Sequence, residues 1–465
     1  MGELQNWVTT VNSSLSDYVL TFLLAGFGIY FSIKSKFVQV RFFTSAWHNV
    51  FSKFSIHGKK NSSGLSSFQA LATAVAAQVG TGNIVGASGA ILTGGPGAIF
   101  WMWIIAFFGM STIYAETVLA QKTRVITPDG SVLGGPVFYI RKAFPGKAGK
   151  VLSIFFALAT ITALGFMGCM VQANSIGETC QQAFNIPSWA VGIIITVAAG
   201  FIFIGGLSRL AGVTEKLVPL MALIYLAGGL IILIIRYRYL PETFGMIFKY
   251  AFMPQALLGG GFGYALKTAV SQGVKRGLFS NEAGMGSTPH AHALADAASA
   301  HVQGEVAMIG VFIDTAVVLT MTALIVISTI YTGDGPLAGA NAGNYKDLIA
   351  GANMSKTNLV QAAVASVSSA NIGNIFVAVC LLFFAFSTII SWNLFGKINF
   401  HWLFGKKSTI IYSTLALAAI MSGTLIKSDL VWELQDMFNQ LMVLPNILAL
   451  AVLSKIAAEQ AKNPR

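Results

Sequence analysis

Residues 79–86 read VGTGNIVG, which sets Gly80, Gly82 and Gly86 around Thr81 and Asn83 within a long apolar stretch. Glycine admits non-helical backbone at little steric cost. A helix interrupted at that point exposes amide and carbonyl groups, and inside a membrane such backbone is tolerated only where it is buried in protein or lines a cavity. The N-terminus of a half-helix then attracts a carboxylate, while freed carbonyls hold a cation such as Na⁺. Thr81 and Asn83 supply side-chain groups at the same place. Two simpler readings compete with this one. A dinucleotide fingerprint needs a βαβ unit, which is not visible, and the spacing is off by one residue. Close helix packing suits Gly82, Gly86 and Ala90, but it leaves Thr81 and Asn83 without a purpose.

Other stretches carry groups able to complete a site. In ITALGFMGCMVQANS, Gln172 follows Gly168 by four residues and shares its helix face. An intramembrane Gln serves either an interhelical hydrogen bond or, above Gly165 and Gly168, the ammonium of a small ligand. Ser387 and Thr388 are adjacent hydroxyls in an apolar run, and Trp392 follows Thr388 by four. The hydroxyls either bond back to the previous turn or join broken-helix carbonyls around a cation. Trp392 would cap the volume of a neighbouring cavity. Asp314, in GVFIDTAVVLTMT, is the clearest intramembrane acid. It is either a functional group or the static partner of Lys275 or Arg276. Glu116, near the end of its stretch, reads as structural. Glu282, His290 and His292 match no standard metal-ligand spacing, and the GVKRGLFSNEAGMGSTPHAHA stretch (273–293) is expected to be a break followed by a solvated cytoplasmic loop.

These groups need elements to hold them. The chain has 465 residues, of which 55% are hydrophobic and 10% charged, with mean hydropathy +0.70. A soluble domain carries about a quarter charged residues, so an all-α integral membrane protein is the class that fits. At roughly 20 apolar residues per crossing, eleven stretches qualify: 17–34, 66–93, 96–121, 151–182, 188–207, 213–236, 258–280, 302–331, 359–395, 408–426 and 431–454. The seventh is the weakest, because Lys267, Lys275 and Arg276 interrupt it. Residues 38–54, VQVRFFTSAWHNVFSKF, mix aromatics with bases and read as an interfacial amphipathic helix. Cys169, Cys180 and Cys380 all lie in apolar stretches, an odd set without disulfide or zinc spacing.

The formal charge of +12 is topological. With the N-terminus outside, the inner segments hold about 22 of the 29 Lys and Arg. They include Lys34, Lys36, Arg41, Lys53, Lys59 and Lys60, then Lys122, Arg124, Arg141, Lys142, Lys147 and Lys150, and finally Lys397, Lys406, Lys407, Lys455, Lys462 and Arg465. The longest outer connection, 332–358, is polar and nearly neutral. This pattern follows the positive-inside rule and gives no sign of nucleic acid. MGELQNWVTT lacks a basic n-region, so a cleaved signal peptide is not expected.

Together, GTGNIVGASGAILTGGPGAIFWMW (80–103), ALGFMGCMVQANS (163–175), GLFSNEAGMGSTPHAHA (277–293) and FAFSTIISW (384–392) resemble the alanine/glycine:cation symporter family of amino-acid carriers. The resemblance covers nearly the whole chain. It implies a leucine-transporter-like core of five helices repeated with inverted topology, discontinuous helices, and one extra N-terminal helix. Residues 1–62 would be peripheral, 63–240 the first half, 241–456 the second and 457–465 a cytoplasmic tail, although no sequence repetition is evident between the halves. It further implies that an amino-acid carboxylate meets Thr81, Gly82 and Asn83. Gly165, Phe166, Gly168 and Gln172 would form the pocket wall, Trp392 would limit side-chain size, and Asn281 would lie at or near the substrate or ion. Na⁺ would sit between the carbonyls around Gln78 and Val79 and the hydroxyls of Ser387 and Thr388. The expected activity is Na⁺-coupled symport of alanine or glycine across a prokaryotic-type plasma membrane. Proton coupling through Asp314 or Glu282 is the alternative. No cofactor is expected apart from the coupling ion. A channel would need a continuous polar pore, and an enzyme or receptor would have to use Glu282, His290 and His292.

Overall fold

The computed structural model describes residues 2–51, 64–127, 132–259, 261–426 and 428–463. Lys53, Lys59, Lys60 and Arg465, with the last residues of the 38–54 stretch, lie outside the described residues. The chain is mostly helical, and the predicted membrane stretches all form helices. Among the described residues, six helices are able to span by length and composition, or seven when the bent pair Ser67–Gln78 and Gly82–Gly94 is taken as one. The other predicted stretches are shorter or more polar helices: Thr21–Lys34, Ser188–Ile204, Phe262–Asn281 and Thr409–Gly423.

Two helices are broken, and their breaks face each other. The first pair bends by 43° where Val79 and Gly80 leave the helix. The second helix, Phe262–Asn281, ends at Glu282, whose φ of +59° is left-handed, and Gly284 (φ +92°) and Gly286 (φ +83°) carry the chain to the short helix Pro289–Ala293. A left-handed conformation is disfavoured for a residue with a Cβ, and here a hydrogen-bond web sustains it. Asn281 Oδ1 accepts from Ala283 N at 3.1 Å, and Glu116 Oε2 accepts from Gly284 N at 3.2 Å. Asn446 Nδ2 reaches both Glu116 Oε1 (2.5 Å) and the Gly284 carbonyl (2.9 Å). Glu116 is therefore structural, as its position near a helix end implied: it caps a break three helices must share.

The chain entering the first broken helix also pairs with the chain leaving the second. Leu65 and Ser66 form a parallel two-residue bridge with Ala295 and Asp296. Arg124 Nη1 donates to the carbonyls of Ala293 (3.1 Å) and Ala295, and Gln121 Nε2 donates to those of Ala295 (3.1 Å) and His292. Ser66 also opens the Ser67–Gln78 helix with a capping box, accepting from Gln69 N while its own N–H donates to Gln69 Oε1. Ser66→Ala is expected to lower stability by about 1 kcal/mol, read as a drop in the melting midpoint of the detergent-solubilised protein.

Two expectations shift. The ninth stretch does not run unbroken from 359. It divides into Leu359–Ala365 and Ala370–Phe404, because three serines intervene. Ser366 and Ser368 bond back to the carbonyls of Ala363 and Val364, and Ser369 caps the next helix at Ile372 N. Residues 273–293 are not a solvated loop. Asn281, Glu282, His290 and His292 are all buried, and polar composition alone misled because these groups satisfy one another.

Candidate functional site

The two breaks come together through hydrogen bonds from neighbouring helices. Gly80 N donates to Asn83 Oδ1 at 3.1 Å, and Thr81 N donates to Gln172 Oε1 at 3.2 Å. Gln78 Nε2 donates to the Asn281 carbonyl at 2.8 Å, joining one break to the other. Three polar atoms around this junction, Gln78 Oε1, Thr81 Oγ1 and Gln172 Nε2, are buried without a hydrogen-bond partner among the described residues. Gln78 Oε1 is an acceptor, Gln172 Nε2 a donor and the Thr81 hydroxyl either, so groups of both kinds stand open at one spot, where buried polar groups are nearly always satisfied.

Asp314 anchors the cluster from the Ala300–Tyr331 helix. Its carboxylate accepts from Asn83 Nδ2 (2.7 Å), Ser280 Oγ (3.0 Å to either oxygen) and Thr315 Oγ1 (2.8 Å). Asn281 Nδ2 extends the web to Thr315 Oγ1 at 3.2 Å. Every one of these partners is neutral. The static pairing with Lys275 or Arg276 is not what the fold contains, since both bases pair with Asp436. A buried carboxylate without a cation is costly.

Ser387 and Thr388, on the Ala370–Phe404 helix, face the first broken helix. Thr388 Oγ1 donates within 2.8 Å of the Ala76 carbonyl and 3.0 Å of Phe384 O. Ser387 Oγ lies 2.8 Å from Phe384 O and 3.4 Å from Ala76 O. Both readings of these hydroxyls are thus present at once, back-bonding and contact with carbonyls at the break. The carbonyls they reach are those of Ala76 and Ala77, two residues earlier than the expected Gln78 and Val79. Gly80 is what allows the approach: a Cβ there would lie 2.4 Å from Thr388 Oγ1.

The Lys147–Phe184 helix divides its predicted wall. Gln172 meets the break directly. Gly168 gives room to Trp392, since a Cβ at 168 would lie 2.5 Å from the indole. Gly165 and Phe166 turn instead toward Tyr412, with a Cβ at 165 falling 2.4 Å from its hydroxyl and the Phe166 ring 5.7 Å from the Tyr412 ring. Gly82 packs against Ser280 and Phe279. Gly82 and Asn83, Gly165 to Gly168, and Asp314 with Thr315 all lie in π-helical segments, Gly82–Gly86, Ile161–Gly168 and Phe312–Leu319. Such segments gather at functional sites.

Sequence reading missed the partner of Trp392. Its Nε1 donates to Glu282 Oε1 at 2.5 Å, and Ser287 Oγ donates to Glu282 Oε2. The acid-to-indole link joins positions 110 residues apart, and nothing local signals it. His290 stacks between Phe156 and Phe395, accepts from Asn399 Nδ2 at Nε2 (2.8 Å) and faces Ser287 O with Nδ1 (2.7 Å). Those bonds assign the neutral ring with its proton on Nδ1. Among the described residues no group of three His, Cys, Asp or Glu is placed to hold a metal ion.

A sequence profile of the sodium:alanine symporter family matches residues 1–463. The chain belongs to this family. Relatives of the symporters align along almost their full length. The sodium/alanine symporter AgcS of Methanococcus maripaludis is 36% identical over 98% of this chain and 96% of its own. The putative sodium/proton-dependent alanine carrier YrbD of Bacillus subtilis is 37% identical over 97% and 90%. The probable sodium/glutamine symporter GlnT of the same organism is 35% identical over 99% and 90%. Among solved structures, MhsT in complex with L-phenylalanine superposes with a TM-score of 0.56 at 15% identity, covering 87% of this chain and 99% of that one. A manganese transporter of Eremococcus coleocola follows at 0.50 and 13%, over 84% and 78%. These likenesses show a leucine-transporter-type fold. As a sodium:alanine symporter family member, the chain is a multi-pass secondary transporter of amino acids rather than an enzyme.

Proposed function

We propose that the protein carries small neutral amino acids, alanine and glycine first among them, into the cell together with Na⁺ by alternating access. One observation carries the reading: two broken helices meet where Thr81 Oγ1, Gln172 Nε2 and Gln78 Oε1 are buried without a hydrogen-bond partner among the described residues. The substrate carboxylate would lie at Thr81, Gly82 and Asn83, with Gln172 and Trp392 around the remainder and Asn281 fixing the second break. Na⁺ would join the Ser387 and Thr388 hydroxyls with the carbonyls they already approach. Eleven spans with the N-terminus outside fit the charge distribution, residues 63–240 and 241–456 forming opposed five-helix halves. In that frame the bridge between 65–66 and 295–296 closes the inner end. Rocking one half against the other would break it and release substrate inward, each charge moved being worth about 2.3 kcal/mol per 100 mV.

The test is uptake of labelled alanine into proteoliposomes under an inward Na⁺ gradient, an equal K⁺ gradient, or a pH jump alone. Accumulation with Na⁺ only supports the reading. Thr388→Ala is then expected to raise the Na⁺ concentration for half-maximal uptake at least about tenfold, equivalent to 1.4 kcal/mol. One observation favours a second reading, proton coupling: the partners of Asp314 are all neutral, so a proton would also settle its charge. Accumulation with the pH jump alone selects it. No concentrative uptake of alanine, glycine or glutamine under any gradient removes both.

A further inference from the structure

Two layers of side chains follow one another along the pair of helices that flank the first break. Thr388 and Trp392 are one turn apart on the Ala370–Phe404 helix, and Gln172 and Gly168 are one turn apart on the helix facing it. A Cβ on Gly80 would meet both Thr388 Oγ1, at 2.4 Å, and Gln172 Oε1, at 3.3 Å, while a Cβ on Gly168 would meet the Trp392 ring at 2.5 Å. The polar junction is therefore one layer, and the indole closes the next, about 5.4 Å along.

That indole is gripped at opposite ends. Its benzo edge, Cε3 and Cζ3, rests on Gly168. Its Nε1, the one polar atom of the ring, donates to Glu282 Oε1 at 2.5 Å. Phe279 packs against it nearly perpendicular, at 89° and 6.0 Å between ring centres. Glu282 is held in turn: its N–H donates to the Leu278 carbonyl at 2.9 Å, and Ser287 Oγ donates to Oε2. Apolar packing alone would admit several indole orientations, whereas an acceptor fixed at the single N–H selects one. We propose that Glu282 is a positioning residue for substrate size: by accepting from Trp392 it keeps the indole across the end of the pocket and confines the site to side chains as small as those of glycine and alanine. Glu282 acts through Trp392 and touches no substrate. The inference rests on the reading of the central site above, with the carboxylate at Thr81, Gly82 and Asn83 and the side chain directed at the indole. Its chemistry makes reach decisive and charge secondary. Aspartate keeps the charge but is one methylene too short for the indole, and glutamine keeps both the length and an acceptor oxygen.

The experiment compares uptake of labelled leucine and alanine into proteoliposomes, each as maximal rate over KM. Pocket room of a methylene or more is worth about tenfold or above in such a ratio. Glu282→Asp and Trp392→Phe should each raise the leucine-to-alanine ratio at least about tenfold, chiefly by lowering the KM for leucine. Glu282→Gln should keep the wild-type ratio. Combining Glu282→Asp with Trp392→Phe should add nothing to Trp392→Phe alone, a result that general loosening of the fold would not give. Should Glu282→Asp fail to fold, Ser287→Ala, which frees Oε2, must shift the ratio in the same direction. A wild-type ratio in Glu282→Asp, or in Ser287→Ala where that variant stands in for it, overturns the proposal. So does a Glu282→Gln protein that is relaxed or carries nothing, because charge would then be the requirement, and so does an additive double variant. In each of these cases ordinary alanine uptake by wild type leaves the central site standing. Wild type that concentrates neither alanine, glycine nor glutamine overturns both.

Discussion

Asp314→Ala is expected to abolish concentrative amino-acid uptake and to lower the stability of the detergent-solubilised protein by more than about 3 kcal/mol. The substitution leaves Asn83 Nδ2, Ser280 Oγ and Thr315 Oγ1 without their shared acceptor. A buried donor stripped of its partner costs about 1–3 kcal/mol, and three in one cluster take a large part of a typical margin of about 5–15 kcal/mol. The functional loss follows from position, because those donors sit on both broken helices. Asp314→Asn separates structure from charge. It keeps an oxygen for some of these donors while removing the carboxylate. If the charge serves the coupling ion, the variant folds but its uptake loses ion dependence or ceases. Wild-type uptake with unchanged Na⁺ and pH dependence in Asp314→Asn would reduce the residue to scaffolding.

Gly80→Ala tests the opposite demand, for space. The added methyl would fall 2.4 Å from Thr388 Oγ1, 3.2 Å from Thr388 Cβ and 3.3 Å from Gln172 Oε1. The Thr388 hydroxyl cannot turn aside without losing its bonds to Ala76 and Phe384, and Thr is stiff about χ1. Overpacking of this kind costs about 1–3 kcal/mol, and here it separates groups that the proposed ion and substrate contacts need together. Uptake should fall at least about tenfold, the equivalent of 1.4 kcal/mol of site affinity. Gly86→Ala is the control, because its new methyl would meet nothing closer than 3.9 Å. Equal tolerance of both substitutions would show that the close approach of Gly80 and Thr388 is incidental.

The breaks were legible because a glycine and amide cluster inside an apolar run has few other uses. Thr81, Asn83, Gln172 and Thr388 do meet around one junction, a grouping that the family resemblance implied and residue type left open. Partners were not legible. Nothing near Asp314 in the chain points to Ser280 rather than Lys275, since the choice is made by which helix faces pack. The 273–293 stretch shows the limit of composition. A segment dense in Gly and polar groups reads as solvated unless its partners are known, and here Asn399 and Gln303 satisfy the two histidines from other parts of the fold. Gly165 and Phe166 illustrate a third difficulty, because within a π-helical segment helical spacing no longer says which way a side chain points.

Those segments also constrain how the protein can change over time. Each accommodates an extra residue in a turn that bonds five residues apart, so deleting one residue would restore ordinary helical bonding and remove the bulge that sets these side chains. At Gly82–Gly86, Ile161–Gly168 and Phe312–Leu319 the length of the chain is therefore as much a part of the site as the identity of its residues. A descendant can take insertion or loss at an exposed turn such as 341–343. At the three segments it can only exchange one side chain for another.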